Sequence, residues 1–434
     1  MLDAVNELSV RMGWRPAALY FLGGEEKLRR LSELADGGME LIAAGSPFED
    51  FRSCLKQQKP DIVVDLSDLP VLSPSRRLRL ASEALAAGAV YRGADFEFRP
   101  PRFERVLTKP SCAIIGTGKR CGKTAVSAEM ARYLTGRGCR LAVVAMGRGG
   151  PSRPCVLDGS KIDERFLLEE VEKGLHAASD HYEDALMAGV TAVGSRRCGG
   201  GMAGEPFVTN CVEAAREADG LPVEVVIMEG SGSSLPPVHT DARVCVISAA
   251  QDIEEALGFL GTYRLLISDG VIITMAEEPF ASPARVEELE EKVYQVYGRI
   301  EIIKTIFRPH PLKPIRGRRI FVVCTAPDAA SSILEDYLRD EEGCQVVGIS
   351  HSLSDRRGLE EDLRRAGEAE VILSELKAAA VDTVAQYASR KGKEIIYFHN
   401  RAVPLEGGLE LERFFDRTWD LARERSCHQE KRKK

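Results

Sequence analysis

Long apolar runs are missing from this 434-residue chain. No segment has the length needed to cross a bilayer, and the opening MLDAVNELSVRMGW lacks a signal-peptide pattern, so a cytoplasmic protein without a membrane partner is expected. A cysteine framework is missing too. The 11 cysteines are scattered, no two form a CxxC pair, and the odd number reads as reduced thiols serving as small hydrophobes. No His and Cys spacing of the zinc type occurs, and there is no internal repeat. Positive charge is not in excess: the net charge is −7, which argues against a nucleic-acid partner but leaves room for local basic pockets that bind anionic metabolites.

The composition that remains, 44% hydrophobic and 29% charged, is that of a globular protein with enough length for two or three domains. Residues 17–107 read as a small α/β unit. "AALYFLGG", "ELIAAG" and "DIVVDLSD" are strand-like, "EEKLRRLSELADGG" and "SRRLRLASEALAAGA" are helical, and "VYRGADFEF" reads as one further strand. The proline-marked "RPPRF" then sets a boundary near residue 108, giving an N-terminal domain over 1–107 and a larger unit over 108–434. In the larger unit apolar runs at 112–116, 141–146, 223–228, 243–248, 266–274, 302–306, 319–324, 345–349, 370–373 and 394–398 alternate with helical stretches. Such alternation predicts a mostly parallel sheet with helices on both faces, an α/β fold. "RPHPLKPIRG", 308–317, either splits off a C-terminal domain or crosses an edge of one sheet; the second reading is preferred. The tail "SCHQEKRKK" is expected to be disordered.

The chemistry concentrates in a few loops. In "IIGTGKRCGKTAVS" a strand runs into a glycine-rich turn and then a helix, the context of a phosphate-binding loop over Gly116, Thr117, Gly118, Lys119, Arg120, Cys121, Gly122, Lys123, Thr124 and Ala125. Backbone N–H groups and the helix N-terminus attract phosphate, Lys123 reaches the outer phosphates, and Thr124 holds Mg²⁺. The spacing departs from the common form, because Thr117 stands where the first glycine is usual. "VEVVIMEGSGSSLPPV" supplies the acidic partner for the metal, Glu229, at the end of a strand. Two glycine-rich loops carry arginines: Arg148 and Arg153 in 146–154, and Arg196 and Arg197 in 193–207. Arginine amid glycine suits a multiply charged anion. Between them "KGLHAASDHYEDAL" offers His176, Asp180 and His181, with substrate-binding and structural roles both open for the histidines, and a second metal on the run 180–184 left open.

Together "GTGKRCGKT", "VVAMGRGGP", "KGLHAASDHYEDAL", "SRRCGGGMAGEPF" and "MEGSGSSLPPV" resemble the cyclic 2,3-diphosphoglycerate synthetase family, and the likeness continues through "RPHPLKPIRGRRIFVVCTAP" and "VILSELKAAAVD". The loop and the EGSGS turn are also similar to dethiobiotin synthetase, in the same broader group of P-loop NTPases. The resemblance implies a P-loop core with a C-terminal α/β extension and closure of 2,3-diphosphoglycerate into a ring holding an intramolecular phosphoanhydride, with ATP and Mg²⁺ as cofactors and ADP and phosphate released. Crowding of that much negative charge, at about 4 kcal/mol per unit pair at 4 Å and an effective dielectric near 20, asks for cations beyond Lys123 and one metal. Arg196, Arg197 and Arg148 are therefore expected on the acceptor, with Lys123, Glu229, Arg196 and Arg197 as the catalytic set. Two alternatives stay open: a ligase or kinase acting on another small anionic metabolite, and a nucleotide-switch ATPase that binds a protein. The N-terminal unit carries no readable motif; a lid, a regulatory unit or a homodimerisation unit all suit it.

Overall fold

A computed structural model describes residues 2–22, 40–43, 45–174, 179–377, 380–407 and 410–433. The expected helix at 25–38 and His176 lie outside them. The chain divides into two units, one of Met1–Pro101 with Leu257–Ile267, the other of Arg102–Ala256 with Ser268–Lys434.

The first unit begins with helix α1 (Leu2–Met12) and holds a parallel pair, β1 (Ala18–Phe21) with β2 (Glu40–Ala43), and a small sheet of β3 (Ile62–Val64), β4 (Val90–Arg92) and β5 (Glu97–Phe98). Helices α2 (Glu49–Gln58) and α3 (Pro74–Ala86) complete it. Ser73 caps α3, its side chain accepting from the Arg76 N–H, with Pro74 at the first helical position, where its missing N–H costs nothing. Leu80, Ala81, Ala84 and Leu85 form the buried stripe of α3. "VYRGADFEF" is not one strand. The Gly93 N–H donates to the Phe96 carbonyl at 2.9 Å, so the chain reverses and β5 pairs antiparallel with β4.

The second unit is built on a 13-stranded, mostly parallel sheet. Its strands are β6 (Ser111–Gly116), β7 (Leu141–Gly147), β8 (Cys155–Asp158), β9 (Thr191–Cys198), β10 (Val208–Thr209), β11 (Val225–Glu229), β12 (Ala242–Ser248), β13 (Gly270–Thr274), β14 (Glu301–Pro311), β15 (Arg319–Val323), β16 (Gln345–Ser350), β17 (Val371–Glu375) and β18 (Glu394–Pro404). They lie in the order β10-β9-β7-β11-β6-β12-β13-β14-β18-β17-β15-β16, with β8 also on β9. β6, β7, β11 and β13 are buried along their whole length, which is why they read as unbroken apolar runs and not as alternating ones. The helices that matter for the site are α4 (Lys123–Gly136), α5 (Glu164–Glu172) and α6 (Asp180–Ala188).

Three local expectations change. The Arg196–Arg197 segment is strand, β9, because it continues a parallel ladder on β7 and takes β8 and β10 antiparallel. "RPHPLKPIRG" is not an edge crossing: β14 runs on to Pro311 in the interior of the sheet, parallel to β13 through its first half and antiparallel to β18 through its second. The tail is helical to Lys433. Leu411, Phe414, Phe415 and Ala422 on the same helix are buried in the core cluster of β6 and α4, and that anchored stripe carries the charged end along as helix. No helix among the described residues is long and apolar enough to cross a membrane.

Candidate active site

The phosphate loop leaves β6 at Gly116. The Thr117 N–H donates to the Val246 carbonyl at 3.2 Å and its hydroxyl to Gln251 Oε1 at 2.9 Å, pinning the turn to the neighbouring strand. Arg120 and Gly122 take left-handed backbone, with φ of 59° and 91°. A Cβ on Gly122 would also stand 2.4 Å from the Phe307 ring, so glycine is required there twice over. Thr274 Oγ1 donates to the Cys121 carbonyl at 2.7 Å and closes the loop from below. Cys121 itself is fully buried in the turn. Lys119 and Arg120 point to solvent.

Lys123 is the first residue of α4 and is buried; its Nζ donates to the Gly118 carbonyl at 2.9 Å, which holds the ammonium inside the loop. Thr124 Oγ1 donates to Glu229 Oε1 at 2.6 Å. Glu229 ends β11, which lies between β6 and β7, so sheet order alone brings this carboxylate beside the loop. It is 2% exposed and its Oε2 has no partner among the described residues. Burial first, then the charge of Asp180, pushes its carboxyl up to about 8, against the opposing pull of Thr124 and Lys123. Asp184, one helical turn from Asp180 on α6, is fully buried beside Glu229, and neither of its oxygens has a donor among the described residues. Burial, then Glu229, Glu183 and Asp180, hold its carboxyl well above the usual carboxylate range. Glu183 is raised to about 7, chiefly by burial, with Lys377 opposing.

Three buried carboxylate oxygens of Glu229 and Asp184, without a donor among the described residues, and the Thr124 hydroxyl bonded to Glu229 are hard oxygen atoms of the kind Mg²⁺ selects. No group of three His, Cys, Asp or Glu side chains among the described residues forms a self-contained metal cage. Mg²⁺ rarely uses one; it takes one or two carboxylates and leaves the remaining positions to phosphate and water. The donor set therefore fits this ion.

Cations adjoin this acidic group, and Asp180 acts on both Arg197 and Glu229. Arg197 is 4% exposed; its NH1 donates to the Gly199 carbonyl at 2.7 Å and its Nε has no partner among the described residues. Gly232, in the EGSGS turn, lies between this guanidinium and Lys119, with an added Cβ meeting Arg197 NH2 at 3.2 Å and Lys119 Cγ at 3.3 Å. Burial and then the charge of Arg148 lower the Arg197 pKa, so Arg148, exposed after β7, belongs to the same group. Arg196 does not. Strand alternation turns it to the other face, where it is exposed and its Nε donates to the Gly150 carbonyl at 2.7 Å. Asp180 stands at the start of α6, with its Oδ2 3.2 Å from where a Cβ on Gly147 would be. His181 is buried, its ring packed on Gly194 and 4.5 Å from that of Tyr182.

Profiles of cyclic 2,3-diphosphoglycerate synthetase match along the chain: its N-terminal domain at residues 1–99, its P-loop domain at 111–306 and its C-terminal domain at 311–401. A protein named cyclic 2,3-diphosphoglycerate synthetase from Rubrobacter xylanophilus is 48% identical over 413 residues, covering 94% of this chain and 93% of that one. One of the same name from Methanothermobacter thermautotrophicus is 43% identical, covering 94% and 89%. The chain belongs to the cyclic 2,3-diphosphoglycerate synthetase family. It is a synthetase-type enzyme with a P-loop nucleotide-binding domain, and its substrate is a small molecule.

In this chain sequence reasoning named Asp184 only within the acidic run 180–184 and passed over Gln251 and Lys377. Asp184 lay inside the quoted acidic run, and its i, i+4 spacing from Asp180 was the available signal that both share a helix face. Gln251 carried no motif; it is found only because β12 neighbours β6. Lys377, just past β17, pairs with Glu183 at 3.4 Å and so brings the C-terminal half to the edge of the acidic group.

Proposed function

We propose that the enzyme closes 2,3-diphosphoglycerate into its cyclic phosphoanhydride at the expense of ATP, with Mg²⁺ bound at Thr124, Glu229 and Asp184. The observation that carries this reading is the presence of both kinds of charge at one phosphate loop: buried carboxylate oxygens beyond Thr124 with no donor among the described residues, and the buried Arg197 with Lys119 and Arg148. A nucleoside triphosphate with its metal suits the carboxylates and Lys123, and a polyanionic acceptor suits the arginines.

The ATP γ-phosphoryl group passes to one phosphate of the acceptor. An oxygen of the neighbouring phosphate then attacks that phosphorus, the bridge to the added group breaks, and inorganic phosphate leaves. Bound Mg²⁺ supplies neutralisation of the phosphate oxygens. Lys123 exchanges the Gly118 carbonyl for phosphate oxygen and stabilises charge on the transferred group. The loop N–H groups hold the nucleotide phosphates in place. Arg197 orients the acceptor through its fork, and its buried setting strengthens each contact. Positioning and charge stabilisation do most of the work in such a reaction. The fit to a cytoplasmic enzyme acting on free metabolites follows from this substrate.

The test is ³¹P NMR of the protein with ATP, Mg²⁺ and 2,3-diphosphoglycerate. A phosphoanhydride resonance growing in step with ADP is expected. ADP and phosphate appearing without that resonance, or turnover only with another acid, would remove the assignment.

A further inference from the structure

The later turns of α4 border a cavity of about 450 Å³ lined by none of the phosphate-loop residues. Its walls include Arg132 and Tyr133 of α4, His310 of β14, His399 and Arg401 of β18, and Phe415. The antiparallel register sets His310 opposite His399, with the rings 5.1 Å apart and edge to face. His399 is 5% exposed, and neither ring nitrogen has a partner among the described residues. Leaving a buried imidazole unsatisfied is unfavourable, so a ring kept in this state asks for a ligand or an equivalent partner. Burial, then Arg132, His310 and Arg401, push its pKa down to about 2, so it is neutral and offers one N–H donor.

The cations around it are arranged beforehand. Glu129 bridges two guanidinium groups, taking Arg132 NH2 at 2.6 Å and Arg401 Nε at 3.2 Å. Arg132, Arg137 and Arg401 line the cavity with Glu129 and Glu412, Arg137 is also paired with Asp416, and the terminal amino groups of the half-exposed Arg401 have no partner among the described residues. Tyr133 and Phe415, rings 5.9 Å apart, add apolar surface. No three-residue metal-ligating group accompanies the histidines among the described residues. The size of the cavity, the free Arg401 fork and the unsatisfied His399 ring suit a metabolite-sized anion.

We propose that this cavity is a second ligand site, for a small molecule bearing a phosphate or carboxylate group, with Arg401 as the principal contact and the imidazole pair behind it. The proposal does not depend on the reaction proposed above. Its position gives it a route to the loop: α4 begins with Lys123, and Arg132 NH1 also donates at 3.0 Å to the Met187 carbonyl of α6, the helix that carries Asp184.

The test uses the full chain with ¹⁵N-histidine, which has seven ring systems to resolve. Ring signals of His310 and His399, assigned through His310→Gln and His399→Gln, are followed during titration with inorganic phosphate and, separately, acetate. Saturable shifts of both rings are expected, retained in Lys123→Ala and weakened by about tenfold in Arg401→Ala. Arg401→Gln serves if the alanine variant melts early. A response to phosphate alone names a phosphate-bearing ligand, and a response to acetate alone a carboxylate. Rings that move with neither anion, shifts that vanish in Lys123→Ala, or affinity unchanged in both Arg401 variants would overturn the site.

Discussion

At the residue scale the site depends on a few groups held away from their preferred state. Lys123 is buried and held only by loop atoms, so Lys123→Ala is expected to lower kcat by about 10²–10³ with the fold intact, read from steady-state turnover and circular dichroism. Glu229 and Asp184 are buried acids that bind protons more tightly folded than unfolded. Their contribution to stability is greatest at low pH and is lost as pH rises from the ordinary carboxylate range towards about 8 for Glu229. Metal-free protein should therefore lose melting temperature as pH rises from about 5 to about 8, and Glu229→Gln should flatten that slope while abolishing turnover. A slope that is unchanged in Glu229→Gln, measured by calorimetry in chelator, would contradict the buried-acid account.

At the scale of elements, strand β9 separates two neighbours that the sequence lists together. Arg197 points to the loop and the EGSGS turn, and Arg196 to the far face. Under the proposed function Arg197→Ala should raise KM for 2,3-diphosphoglycerate by about tenfold or more, with ATP affinity held within a few-fold. Arg196→Ala should change either constant little, and an effect of equal size in both variants would place the acceptor elsewhere. The C-terminal helix Glu410–Lys433 is a second case. Phe415 is 1% exposed in the core around α4, so Phe415→Ala should cost roughly 3–5 kcal/mol in a denaturant titration. A disordered tail was expected because the last residues are charged; the anchoring stripe lies further upstream.

At the scale of the molecule, the P-loop half and the C-terminal half share β14. The matched domains meet between residues 306 and 311, within that strand, whose first half pairs with β13 and whose second half pairs with β18. Cutting there exposes the edges of β13 and β18 at once and strips the ladder from both sides. A fragment of residues 311–434 is expected to show no cooperative melting by circular dichroism, and a cooperative transition in it would mean that the second half is self-sufficient. Lys377 points the same way, since it reaches Glu183 on α6 from the C-terminal half.

The sequence by itself determined the phosphate loop, Thr124 at its end, the strand-ending Glu229 and the alternation that makes a mostly parallel α/β sheet. Each is a local pattern: a glycine-rich turn between an apolar run and a helix, or a period in hydrophobicity, and short-range sterics and burial are enough to specify it. Tertiary structure alone decided the rest. The order β7-β11-β6-β12 set Glu229 beside Thr124 and Gln251 beneath Thr117, and the pairing of β9 with β7 parted Arg196 from Arg197. The packing of α6 on α4, β7 and β9 buried Asp184, and the register of β14 on β18 faced His310 with His399. Those relations join residues tens to hundreds of positions apart, and it is packing of the whole sheet, not any local preference, that selects among the partners they could have had.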